Sequence, residues 1–181
     1  MRTRKLRELD VSEIGMGCMG FSHGYGTAPD RDYSIEAIRD AFSYGCTFFD
    51  TAKTYGTQQF YPGHNEQLVG EAVDPFRKEI VLATKLHFHD AAPKDGKELE
   101  VKRHLKQSLY NLRSDDADLY DLHRVNEDVP LEDMAGVMGK LIQEGIIRAW
   151  GLSQVSTEML RRADQVTPCL CHSEYLLYGG A

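Results

Sequence analysis

The stretch "TFFDTAKTYG" (Thr47–Gly56) changes abruptly from apolar to ionisable character. Residues typical of a buried strand lead up to Asp50, and a lysine and Tyr55 follow on the next few positions. A strand made for a protein core ends on charged groups in two situations: it enters solvent, or it reaches the rim of a binding site. The segments on either side of this stretch decide between the two.

Short apolar segments of strand character alternate along the chain with amphipathic segments of helical period. This alternation predicts βα units arranged around a parallel sheet. Ser34 and Ser156 are candidate N-caps, because each stands at the start of a helical pattern. The predicted strands are 13–19, 46–50, 80–84, 117–123, 147–153 and 169–175, and the predicted helices lie near 34–44, 65–73, 97–112, 131–143 and 156–166.

The glycine-rich segment after the N-terminus distinguishes two architectures built from such units. Gly15, Gly17 and Gly20 satisfy the spacing G-x-G-x-x-G, but a long polar loop follows them instead of the helix that would bind a pyrophosphate. A barrel is therefore favoured over an open dinucleotide-binding sheet. A complete eight-unit barrel needs about 250 residues, and this chain has 181. The predicted fold class is α/β, a parallel (β/α)8 TIM-barrel type that is incomplete, with about six of eight units in one domain spanning 1–181.

The composition excludes several classes of partner. With 41% hydrophobic and 27% charged residues and a net charge of -7, the chain is typical of globular proteins and unsuited to non-specific nucleic-acid binding. No basic block suits an anionic membrane, no apolar run reaches the roughly 18 residues of a membrane span, and no secretory signal is recognisable. The four cysteines lie inside apolar runs, a pattern typical of reduced core thiols, so a cytoplasmic location is predicted.

Ionisable side chains terminate three successive predicted strands. Asp50, Lys85 and His123 occupy these ends, and Tyr55 lies on the loop after the first of them. Strand ends of a parallel barrel meet at one mouth, where catalytic groups are found. A lysine ammonium stabilises a tyrosine phenolate, a carboxylate keeps the lysine charged, and an imidazole can donate a hydrogen bond to a carbonyl oxygen. This set predicts proton transfer to a carbonyl oxygen, with a redox cofactor needed to carry a hydride.

Several of these segments resemble the aldo-keto reductase family. The segments that carry the resemblance are "LREL-DVSEIGMGCMGFSHGYG", "FFDTAKTYG", "GHNEQLVGEAV", "VLATK", "DLYDLHR" and "RAWGLSQVS", which occur in the family's order over almost the whole chain. The resemblance implies reduction of a small carbonyl substrate, an aldehyde or a ketone, by NADPH or less often NADH. It implies a catalytic tetrad of Asp50, Tyr55, Lys85 and His123, in which Tyr55 is the general acid.

The same resemblance implies a cofactor site. Its residues are expected to be Met19, Asp50, Ser153, Gln154 and His172. The chain departs from the family at His172, where a glutamine usually helps to hold the carboxamide, and an imidazole offers different hydrogen-bonding geometry. It also lacks segments corresponding to the seventh and eighth strands, which in the family supply an aromatic that stacks on the nicotinamide and basic residues for the adenosine phosphate.

Other hypotheses remain beside the reductase. His87 and His89 have a spacing that some zinc hydrolases use, although no third ligand is evident. Asn65 and Glu66 are interpreted as residues of a helix start, with a capping role. The chain is alternatively a non-catalytic barrel fragment that binds a partner, and the strand edges of an unclosed barrel would then favour self-association.

Overall fold

The computed structural model describes residues 1–24, 26–88 and 96–172, the last two of them by their backbone only. Its first element is an antiparallel hairpin formed by β1 (Thr3–Leu6) and β2 (Leu9–Ser12). Arg7, in the turn between these strands, donates to the carbonyl oxygen of Cys169 at 3.1 Å and to Asp164 at 2.5 Å. Hydrogen bonds therefore connect the hairpin to a segment that lies about 160 residues further along the sequence.

Six parallel strands follow and form one sheet in the order of the sequence. They are β3 (Met16–Gly17), β4 (Phe48–Asp50), β5 (Val81–Leu86), β6 (Ala117–Leu122), β7 (Ile147–Ser153) and β8 (Leu170–His172). All six predicted strands are present within the described residues, although β3 is shorter than 13–19 and β5 extends past Thr84 to include Lys85. Positions 173–175 of the last predicted strand lie outside the described residues.

Five α-helices connect these strands, as the periodicity predicts. They are α1 (Arg31–Ser43), α2 (His64–Val73), α3 (Lys97–Leu112), α4 (Leu131–Gln143) and α5 (Thr157–Val166). Ser156 caps α5, as predicted, because its hydroxyl accepts from the amide of Met159. The N-cap prediction at Ser34 is wrong: α1 starts three residues earlier, where Asp30 accepts from the amides of Asp32 and Tyr33. No helix in the described part of the chain is long and apolar enough to cross a membrane.

The two faces of the sheet are both apolar, and they pack against different partners. One face contacts the helices through residues such as Phe49, Leu82 and Trp150. The other face points to the barrel interior, where Val81 and Leu119 pack against the hairpin residues of β2. Side chains alternate between the faces of a strand, so the hairpin covers the floor of the interior and leaves the carboxyl ends of the strands at the opposite end.

Helices α2 and α3 cross at a point where only glycine fits. A Cβ added to Gly70 would lie 2.6 Å from the backbone of Leu112, whereas one added to Gly136 in α4 would meet nothing within 4 Å. Backbone cannot move aside as a flexible side chain can. Gly70 therefore sets the approach of α2 to α3.

We expect Gly70→Ala to lower the free energy of unfolding by about 1–3 kcal/mol, because the added methyl overpacks a helix contact. Gly136→Ala is the matched control: it should raise that free energy by up to about 1 kcal/mol, since it removes a helix-interior glycine without a clash. Urea unfolding followed by circular dichroism measures both. Equal effects of the two substitutions would contradict this account of the α2–α3 contact.

Candidate active site

Three of the predicted catalytic residues stand at strand ends on the inner face of the sheet. Asp50 lies two positions after Phe48 on β4, and Lys85 lies two positions after Ala83 on β5. Phe48 and Ala83 belong to the interior cluster, so alternation along the strands directs Asp50 and Lys85 into the same interior, at the mouth. His123 directly follows β6, where its amide donates to the carbonyl of Leu86 at 2.8 Å.

The ammonium of Lys85 is the centre of the site. The side chain is completely buried, and its Nζ donates to both carboxylate oxygens of Asp50, at 2.7 and 2.6 Å. It also donates to the carbonyl oxygen of Thr51 at 2.9 Å and to the phenol oxygen of Tyr55 at 3.0 Å. A buried charge is tolerated when it is paired and hydrogen-bonded, and these four acceptors of Lys85 are all oxygen atoms.

Two opposing effects act on the pKa of Lys85. Burial is the larger single effect and lowers the pKa, but the combined attraction of the Asp50 carboxylate and Tyr55 more than offsets it, so the pKa lies above its usual range. Lys85 is therefore charged at neutral pH. A raised lysine pKa adds stability that is fully present below the unfolded value of about 10.4 and is lost only as the pH rises through the folded value.

Tyr55 and His123 complete the group. The Tyr55 ring lies 4.9 Å from Lys85 Nζ and meets the His123 ring edge-on, with the ring centres 5.6 Å apart. Nδ1 of His123 lies 3.2 Å from the hydroxyl of Thr54. Because Lys85 donates to the phenol oxygen, the phenol's own hydrogen can point to an acceptor in the mouth of the barrel.

A cavity of about 1230 Å³ opens at this group, and Asp50, Tyr55 and His123 are part of its wall. It extends along the barrel interior to the hairpin, where Val11 contributes to its lining. The volume exceeds that of a typical small-molecule pocket. The space therefore accommodates a large ligand beside the side chains that the sequence identified.

The predicted cofactor residues are placed at the same end of the sheet, with different contacts. Met19 lines the cavity. Ser153 is buried at the end of β7 and accepts from Arg124 at 3.2 Å, whereas Gln154 is exposed and has a positive φ of 55°. His172 pairs with Ser153 in the β7–β8 register, but its side chain lies outside the described residues. Ser153 and His172 thus stand on adjacent strand ends. His89, the second residue of the alternative metal site, also lies outside the described residues.

Two residues at the mouth were not predicted as catalytic or cofactor-binding residues. Arg124 and His87 both line the cavity, and the His87 ring lies edge-on to the His123 ring at 5.3 Å. His87 could have been found from its sequence position, because it lies two residues after Lys85 and alternation directs it to the same side. Arg124 has a weaker signal, since only its place directly after His123 marks it.

The prediction that Asn65 and Glu66 serve as helix caps is wrong. Gly63 is the N-cap of α2 and has no side chain to cap with, and both polar residues are completely buried in the first turn. Glu66 accepts from Thr84 at 2.7 Å and from Asn111 at 2.8 Å. Burial raises the pKa of Glu66 above its usual range, although the hydrogen bonds from Asn111 and Thr84 act in the opposite direction.

The contacts of Asn65 reach the strand ends. Its side-chain oxygen accepts from the Thr51 hydroxyl at 2.5 Å, and its amide nitrogen donates to the Cys18 carbonyl at 2.9 Å and to the Ser22 hydroxyl at 2.8 Å. Thr51 directly follows β4, and Cys18 directly follows β3. Neither hydrophobic periodicity nor a capping pattern in the sequence indicates these contacts, because they depend on how α2 packs against the sheet.

Comparison with known proteins identifies the class to which this fold and site belong. The sequence profile of the Aldo/keto reductase family matches residues 13–177. The chain belongs to this family, as its motifs predicted. It is 37% identical over 164 residues to "Probable aldo-keto reductase 1" of Glycine max, an alignment that covers 88% of this chain and 46% of that protein.

Solved structures agree with the fold. A thermostable aldo-keto reductase crystallised with the inhibitor epalrestat superposes with a TM-score of 0.80 at 26% identity, covering 97% of this chain and 63% of the other. An aldo/keto reductase from Klebsiella pneumoniae in complex with NADP and acetate has a TM-score of 0.69 at 32% identity, covering 84% and 49%. The (β/α)8 barrel class is therefore confirmed, and the chain spans about half of the length of the curated relative that it matches.

We expect Asp50→Asn to lower the free energy of unfolding by about 3 kcal/mol, because it leaves the buried Lys85 ammonium without its anionic partner. Adding Lys85→Met to this variant should restore at least half of the loss, since no buried charge then remains. Chemical unfolding of the unmodified chain, both single variants and the double variant gives the coupling. Strictly additive losses would contradict a tightly coupled buried pair.

Proposed function

We propose that this chain carries a reductase site that converts an aldehyde or ketone to an alcohol with NADPH, or alternatively NADH. One observation carries the proposal: Lys85 Nζ bonds both oxygens of Asp50 and the phenol oxygen of Tyr55 at the same time. A phenol is a poor acid near neutral pH because its ordinary pKa is about 10. An ammonium at hydrogen-bond distance favours the phenolate that remains after proton donation.

Each of the four residues then has one task. Tyr55 donates its phenolic proton to the carbonyl oxygen of the substrate, acting as the general acid. Lys85 stabilises the resulting phenolate, and Asp50 keeps Lys85 charged and directed at the phenol. His123 lies in the cavity wall beside Tyr55, where its ring N–H can donate to the same carbonyl oxygen and orient it.

The proposed cofactor site consists of Met19, Asp50, Ser153, Gln154 and His172. The positions of Met19 in the cavity wall and of Ser153 beside His172 on adjacent strand ends fit a ligand that lies across the mouth. A reduced nicotinamide supplies the hydride that none of these side chains can provide. The NADP complex of the Klebsiella pneumoniae relative supports this choice of cofactor. A cytoplasmic location remains a prediction, supported by the buried free thiols of Cys18, Cys46 and Cys169.

We expect Tyr55→Phe to reduce turnover at least about 100-fold, because the substitution removes only the acidic hydroxyl. The assay is the loss of NADPH absorbance with an aromatic aldehyde, using the purified 181-residue chain. Tyr33→Phe is the control and should leave turnover unchanged, since Tyr33 is exposed and lies on α1. A separate titration of NADPH fluorescence should show binding to both variants.

The outcomes distinguish the two hypotheses that the sequence left open, a reductase and a non-catalytic barrel fragment. Equal turnover by Tyr55→Phe and the unmodified chain would contradict the assignment of the general acid. A folded chain that neither binds NADPH nor reduces the aldehyde would contradict reductase activity for this chain and support the non-catalytic alternative.

We also propose that the chain self-associates through the edges of its sheet. Among the described residues β3 pairs only with β4, and β8 pairs only with β7. A strand edge presents amide and carbonyl groups that pair readily with another strand. The strand order thus supports an interface in which β3 or β8 pairs with a strand of a second copy of the chain.

Sedimentation of the purified chain over a range of concentrations tests this proposal. We expect a concentration-dependent shift from monomer to larger species, because edge pairing is a bimolecular equilibrium. Cys18→Pro is unsuitable as a disrupting variant, since the Cys18 amide donates to the Asp50 carbonyl. Gly17→Pro and Cys171→Pro instead place proline in the two edge strands. A monomer at every concentration would contradict self-association.

A further inference from the structure

Asn65 links three segments that surround the catalytic lysine. It accepts from Thr51, which directly follows β4, and donates to Cys18 after β3 and to Ser22 in the following loop. The Ser22 hydroxyl also lies 2.9 Å from Nδ1 of His64, the residue that precedes Asn65 on α2. One buried amide therefore connects the first turn of α2 to the ends of two neighbouring strands.

The connection to Lys85 passes through Thr51. The Thr51 hydroxyl donates to Asn65, while its carbonyl oxygen accepts from Lys85 Nζ at 2.9 Å. The same residue is held in the sheet by its amide, which donates to the Ala83 carbonyl at 3.0 Å. Asn65 thus fixes the side chain of the residue whose backbone supplies one of the lysine's acceptors.

A second contact fixes Asp50 in the same way. The Cys18 carbonyl accepts from Asn65, and the Cys18 amide donates to the Asp50 carbonyl at 2.8 Å. Asn65 is therefore connected to Asp50 through Cys18, and it bonds directly to the side chain of Thr51. Asp50 and the Thr51 carbonyl are two of the groups that bind the Lys85 ammonium. An apolar side chain in its place would leave the buried hydroxyl of Thr51 and the carbonyl of Cys18 without this partner.

We propose that Asn65 is a positioning residue that sets the distance between the Lys85 ammonium and the Tyr55 phenol. It does so by holding the Thr51 carbonyl and the Asp50 strand end, and it does not touch the reacting groups. The inference rests on the proposed role of Tyr55, which it extends by naming the group that holds its lysine in place. Loss of Asn65 weakens the Lys85–Tyr55 contact, and the Tyr55 phenol then ionises at higher pH.

The test measures the ionisation of the Tyr55 phenol directly and requires neither cofactor nor turnover. The chain is labelled with tyrosine carrying ¹³C at the ring carbon that bears the hydroxyl, and the Tyr55 signal is assigned from its absence in Tyr55→Phe. The midpoint of its pH titration is then compared between the unmodified chain and Asn65→Leu. We expect the midpoint in Asn65→Leu to be higher by about 0.5–1 pH unit, because less positive charge is held at the phenol oxygen.

Two controls separate positioning from general damage. Gly70→Ala destabilises the same helix at its contact with Leu112, without a bond to Thr51, and should leave the Tyr55 midpoint unchanged. Gln67→Leu alters an exposed position of α2 and should do the same. A midpoint that moves equally in Asn65→Leu and Gly70→Ala would overturn the proposal, as would an unchanged midpoint in a folded Asn65→Leu.

Asn65→Ala replaces Asn65→Leu if the latter does not fold. It removes the same hydrogen bonds with a smaller side chain and adds no charge, so we expect a rise of the midpoint in the same direction. An unchanged midpoint in Asn65→Ala would then overturn the proposal. If Tyr55 in the unmodified chain titrates like the exposed Tyr33, the Lys85–Tyr55 coupling itself fails, and with it the proposed function. If Tyr55 differs from Tyr33 and only the variants have no effect, the role of Asn65 alone fails.

Discussion

A positive charge buried beneath the mouth of the barrel constrains the rest of the structure. The Lys85 side chain has no exposure to solvent, so the ammonium must find all of its hydrogen-bond acceptors within the protein. The chain supplies them from three places: the carboxylate of Asp50, the backbone of Thr51 and the phenol of Tyr55. A shift of any one strand end would remove hydrogen bonds from the buried ammonium. The stability of the fold, and not only the chemistry of the site, therefore depends on this geometry.

The sheet meets this condition on both of its faces. Asp50 and Lys85 point inward, while their chain neighbours Thr51 and Thr84 point to the helices, as alternation along a strand requires. Those two threonines bond to Asn65 and Glu66, consecutive residues of α2. The polar layer at the strand ends thus continues through the sheet into the first turn of a helix. A buried network of this kind gives a specific arrangement when all its members are satisfied.

Much of this arrangement could be predicted from sequence because two simple regularities apply. Apolar segments of strand length located the strands, and the ionisable residue at the end of each indicated the mouth, since parallel strands end level with one another. The structure brings Asp50, Tyr55, Lys85 and His123 together at that mouth. His87 follows from the same alternation, although its spacing with His89 was considered only as a possible metal site.

The supporting residues could not be predicted in this way. An asparagine followed by a glutamate at the start of a helical segment is typical of a cap, and that local preference gave the wrong role for Asn65 and Glu66. Their burial follows from the packing of α2 against the sheet and α3, where Gly70 allows a close approach. The start of α1 shows the same limit on a smaller scale, because both Asp30 and Ser34 satisfy the local rule and only the tertiary structure selects Asp30.

The attachment of the hairpin has a consequence for how the chain folds. Arg7 bonds to Asp164 and to the backbone of Cys169, so the floor of the barrel is secured by residues about 160 positions away. Contacts of such long sequence separation carry a loop-closure entropy and are associated with slow folding. On a ribosome, the hairpin emerges long before α5, so the two contacts of Arg7 form only after Asp164 and Cys169 have been synthesised.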